Sequence, residues 1–294
     1  MKRVLNQYKI TALSVLLTAI LLAVVRVAVL AKNVEISAES PETHYLIRVG
    51  TATVVFAIIS AIVVAVIIAW CISMRSRRVS VFEPLVPGTS VELSVYPSTL
   101  LFASALCGFM LLSSGIYFVY LFMTDSSVSL FVFILAVLMI LASSGYLYSS
   151  FIAKGNTTPS YSVWFKIAPV FMAIYWLMYE FVEQNKYAIN SSAVYHIMGL
   201  VCLMLFLTYD ASNVRGAVRT VRYFATALLS VFLLIIDALP HMLLSCFWML
   251  KLDMFVLLDA IAIVFALYAF SKIFTAVDKS SEPVVSEKNS DMPS

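Results

Sequence analysis

Apolar side chains run on without alternation in eight stretches of the chain, at residues 10–31, 50–73, 98–122, 128–152, 162–183, 191–209, 223–248 and 254–274. A helix rising 1.5 Å per residue needs about 20 such residues to cross roughly 30 Å of hydrocarbon. A membrane-barrel strand would be about half as long and would alternate in polarity. The pattern therefore predicts an all-α, polytopic integral membrane bundle of eight transmembrane helices. Mostly short connections make neighbouring helices antiparallel partners. Composition points the same way: of 294 residues 62% are hydrophobic and 12% charged, whereas a soluble domain sits nearer half and a quarter.

One alternative changes the count. Met1, Lys2 and Arg3 followed by an apolar run resemble a cleaved signal peptide, which would leave seven spans. The run is long for a signal, and Arg26 sits badly near a cleavage point, so eight is the expected number.

Lysine and arginine set the orientation. Alternate connections place 14 of them on one side and 4 on the other, with Arg26 inside the first span. Both termini are expected in the cytoplasm, with Glu35, Glu39 and Glu42 outside and a bacterial plasma membrane as the location. Residues 1–275 read as a single transmembrane domain. In the connection 74–97, two alternating runs around Pro84, Pro87 and Gly88 carry a weak β-hairpin signal. That segment would cap helix ends or meet a cytoplasmic protein partner. The tail 276–294 lacks any apolar period and is expected to be disordered.

Chemistry is sought in the ionisable groups inside the spans, because such groups are costly in lipid and face the protein interior. Arg26 shares a face with Ala12, Ala19 and Ala23, and Asp259 with Ala262, Ala266 and Ala269. Asp237 and His241 share one with Ala227 and Ser230. Small residues mark packing faces. Arg26, Asp237, His241 and Asp259 are thus the candidate ligand-binding set, in a polar pocket opening outward between the first, seventh and eighth helices. Glu180, Glu183 and His196 form its possible rim. Pro240 cannot bond the carbonyl of Ile236, which leaves an acceptor beside Asp237 for a cation or substrate.

The functional expectation is a permease-like protein that binds a small solute or cation. The alternative is a non-transporting sensor or assembly subunit whose buried charges hold helices together. No enzyme is expected: neither GxGD nor HExxH occurs, nor any Walker, Rossmann or kinase signature. No cofactor or metal site is expected, since nothing in the sequence fixes the geometry of Glu180, Glu183, His196 and His241. Four cysteines without CxxC spacing read as small buried hydrophobes. The net charge of +3 is dispersed rather than gathered in a patch, so nucleic acid is not a partner and the lipid bilayer is.

Overall fold

A computed structural model describes residues 2–36, 45–47, 51–73, 98–126, 128–151, 159–184, 191–213, 220–247 and 254–274. The connection 74–97 and the tail 276–294 lie outside the described residues. The described chain forms α1 (Lys2–Asn33), β1 (Val34–Ile36), β2 (Tyr45–Ile47), α2 (Thr51–Ser73), α3 (Ser98–Thr124), α4 (Leu130–Phe151), α5 (Pro159–Gln184), α6 (Ser191–Asn213), α7 (Thr220–Phe247) and α8 (Met254–Phe274). All eight helices are long and apolar enough to cross a membrane. The two short strands pair antiparallel, Val34 opposite Ile47, beyond the end of α1.

Each helix from α3 to α8 packs on the next, and α8 returns to α3, so six helices close a ring. Outside the ring α1 lies against α7 and α8, and α2 against α7. That wedges α7 between the ring and the outer pair. Residues 230–238 are all buried, on every side of the helix, which fits a run apolar all round except for Ser230 and Asp237. On α2, by contrast, Val54, Ile58, Ile62, Val66 and Ile72 stand exposed, the face that acyl chains would cover.

The small-residue faces do bury themselves. Ala12, Ala19, Ala23, Ala262, Ala266 and Ala269 are fully enclosed. Gly145 shows why small residues matter here. Pro169 has no N–H for the carbonyl of Phe165 one turn earlier, and a Cβ at Gly145 would overlap that carbonyl oxygen. A Cα–H donor can approach such an oxygen closely. Gly145→Val should therefore force α4 and α5 apart and cost about 1–3 kcal/mol, read as a lower unfolding temperature in detergent. The neighbouring exposed Ser144 should tolerate valine.

Candidate functional site

Five helices bring their ionisable residues to one place. Arg26 Nη1 lies 2.9 Å from Asp237 Oδ1, joining α1 to α7. The same nitrogen donates to the carbonyl of Ile236 at 2.8 Å. This is the acceptor that Pro240 leaves without a helical donor. It does not wait for a ligand, as its sequence suggested; the guanidinium already covers it. Arg26 is further held against the rings of Tyr195 and Phe56, at 4.8 and 5.8 Å from their centroids, where the face of each ring attracts a cation. With a carboxylate, a carbonyl and two rings around it, Arg26 ties α1, α2, α6 and α7 together.

His196 lies at the centre. Its Nδ1 is 2.9 Å from Asp237 Oδ2, a separation that needs one proton between the two atoms. The same nitrogen is 3.9 Å from Asp259 Oδ1. On the other side of the ring, Nε2 faces Glu180 Oε1 at 3.6 Å and makes no hydrogen bond. Glu180 is oriented by Trp176, whose indole N–H donates to Oε1 at 3.3 Å. The remaining oxygen of Asp259 faces His241 Nδ1 at 3.7 Å.

This arrangement corrects the expected rim. Glu180, near the outer surface by depth along its helix, and His196, expected with it at the rim though as deep as Arg26, are 2% and 6% exposed and belong to the interior. Face decides the matter rather than depth: Met172, Ala173, Trp176 and Glu180 follow one another on the buried side of α5. The side chain of Glu183 lies outside the described residues. Among the described residues the side chains of this cluster pack against one another. The side chains of Asp237, Glu180, His196 and Asp259 are at least nine-tenths enclosed, and that of His241 is 30% exposed. Charged groups in a dry setting close on one another because each is the other's best substitute for water.

A second polar cluster, at the opposite end of the bundle, has no counterpart in the sequence reading. Lys272 Nζ is 3.1 Å from Asp210 Oδ1, and both are buried. Tyr223 and Tyr268 donate to the two Asp210 oxygens at 3.1 and 3.3 Å. By sequence alone Lys272 reads as a cation at a helix end and Asp210 as the end of another. The available signal was Tyr268, one turn before Lys272 on the face that also carries Phe265 and Ala269. Lys272→Met should remove the ion-pair partner 3.1 Å from Asp210 and cost about 2 kcal/mol, within the range for hydrogen bonds to a charged group. Thermal unfolding of the purified variant measures it, and Lys272→Arg should recover part of the loss.

Rings fill the space between the clusters. Trp176 meets His196 edge-on at 6.1 Å and Phe265 at 6.5 Å. Phe265 meets Tyr146 at 5.8 Å, and Tyr146 meets Tyr268 at 5.1 Å. These ring contacts link one charged end to the other.

The four cysteines are free thiols, and their burial is mixed: Cys71 and Cys107 are enclosed, Cys202 partly so, and Cys246 is exposed. The last departs from the expected buried role because it lies near the end of α7, past the enclosed stretch.

No protein-family model, no curated protein and no solved structure matches the chain.

Proposed function

We propose that this multi-pass membrane protein is a permease-like protein that binds a cation among Asp237, His196, Asp259 and Glu180. One observation supports this reading above others. Three carboxyl groups converge against a single guanidinium, a surplus of two carboxyls over the one fixed positive charge. Each unpaired charge at such depth costs about 2.5–3.5 kcal/mol even on the lenient insertion scale. A cluster meant only to join helices has no need of that surplus; a cluster that receives positive charge does.

The roles divide accordingly. Arg26 and Asp237 form the fixed part, and Asp237 in turn holds His196. Asp259 and Glu180 supply the charge that a cation would balance, and His241 stands on the more exposed side of Asp259. The asymmetry of lysine and arginine supports a plasma membrane with both termini in the cytoplasm and the charged cluster nearer the outer face. The connection 74–97 remains the candidate contact for a cytoplasmic protein.

Full-length protein in liposomes tests the reading: an imposed cation gradient should drive a saturable flux absent from protein-free vesicles. A second reading, a sensor or assembly subunit that transports nothing, draws support from Arg26 being held by Asp237, the Ile236 carbonyl and two rings. It predicts no flux above protein-free vesicles for any cation tried.

A further inference from the structure

The geometry points to a divalent transition-metal site, with His196, Asp237 and Asp259 as ligands and Glu180 as the outer partner of the histidine. The inference rests on the cation-binding reading above and names the cation class. One ring nitrogen of His196 and one oxygen each from Asp237 and Asp259 lie within 4.8 Å of one another. Donors bound at about 2.0–2.2 Å to one small metal ion stand roughly 3–3.5 Å apart. Nδ1 of His196 is 2.9 Å from one of these carboxylates and 3.9 Å from the other. Side-chain adjustments of under about 1 Å would therefore bring Nδ1 into ligand spacing with both.

Charge and chemistry narrow the ion. Metal binding displaces protons from its ligands, and one divalent cation then balances the two carboxylates in excess of the single guanidinium. Mixed imidazole and carboxylate donors, with no thiolate among them, suit zinc or manganese better than copper(I), which wants sulfur, or calcium, which wants oxygen alone. Sodium would satisfy only half of the charge.

The orphaned atom completes the argument. A metal-bound histidine ordinarily donates its other ring N–H to a carboxylate, which fixes ring and tautomer. With Nδ1 on the metal, the proton stands on Nε2, the buried nitrogen that makes no hydrogen bond and faces Glu180 at 3.6 Å. The indole of Trp176 already orients that carboxylate. His241, 3.7 Å from the far oxygen of Asp259, stands where a fourth ligand would enter from the exposed side. Arg26 does not oppose the ion directly, since it engages the other oxygen of Asp237.

The test uses purified full-length protein, stripped with chelator and titrated with zinc or manganese chloride by calorimetry, alongside thermal unfolding. One equivalent should bind saturably and raise the unfolding temperature, since an ion that prefers the folded state stabilises it. Asp259→Asn and His196→Asn should each weaken binding at least tenfold, and Glu180→Gln by about 10–100-fold. Cys246→Ser, which removes the exposed thiol, should change nothing. Cobalt(II) bound to the unsubstituted protein gives a d–d spectrum reporting nitrogen and oxygen donors, so the question is decided even if a variant fails to fold. Absence of saturable binding up to millimolar metal, or binding that persists undiminished in Asp259→Asn, overturns the site. Stoichiometric metal binding without flux would keep the site and remove the permease reading. Flux of another cation with no metal binding would do the reverse.

Discussion

Replacing Asp237 with alanine should cost about 3–5 kcal/mol, the range for removing one partner of a buried ion pair, and leave little folded protein to purify. The reason lies in what stays behind. Arg26 would keep its charge between two aromatic rings and beside the Ile236 carbonyl, having lost the carboxylate 2.9 Å away. His196 would lose the partner of its Nδ1 as well. The measurement is the yield of monodisperse protein after detergent extraction, followed by thermal unfolding of whatever survives. Joint replacement, Arg26→Met with Asp237→Leu, should recover most of the loss, because well-packed apolar groups often match a buried pair in stability. Recovery should stop short of complete. The carbonyl that Pro240 frees would then have no donor, a deficit of about 1–3 kcal/mol. An Asp237→Ala protein with unchanged yield and unfolding temperature would remove Arg26 and Asp237 as the lock of this bundle.

Asp259→Asn should behave in the opposite way: a protein that folds and inserts, yet loses its cation. Asp259 has two imidazoles for ion-pair partners among the described residues, so no guanidinium is orphaned when its charge goes. Asparagine keeps the shape and both polar atoms. Stability should change by no more than about 1 kcal/mol, the net worth of an ordinary hydrogen bond. Cation flux into liposomes should fall at least tenfold. A variant that transports as well as the parent would end the role given to this carboxylate. One that fails to accumulate in the membrane, and is rescued by a compensating change at His196, would favour the structural reading.

These opposite expectations separate two aspartates that the sequence presents alike. Both occur once in a long apolar run, and both share a face with small residues. Periodicity says that each turns inward. It cannot say which one meets Arg26, because that depends on how far α1 slides along α7, and ridge-into-groove packing sets this. The same limit explains Glu180 and His196. Their depth could be counted along each helix, but their meeting required α5 and α6 to be neighbours in the ring. The pair of Asp210 and Lys272 was missed for a related reason. A lysine one turn from a helix end reads as a snorkelling loop cation unless its carboxylate partner is known to stand beside it.

Local chemistry did carry some tertiary facts. Pro240 removes a donor, so an acceptor at Ile236 had to be answered by something outside the helix. Which group answers it was open. It is the guanidinium of Arg26, and the carbonyl opposite Gly145 is covered instead by a neighbouring backbone.

What this chain determines by itself is its solvent: runs of apolar residues long enough for a bilayer dictate eight spanning helices, because the backbone's polar groups have no other way to be satisfied in hydrocarbon. It also determines that the ionisable residues within those runs avoid lipid. Which of them touch is a tertiary decision. Contact between α1, α5, α6, α7 and α8 at one level depends on the ring closing through α3 and α8, and no local pattern encodes the distance between a guanidinium at residue 26 and a carboxylate more than two hundred residues later.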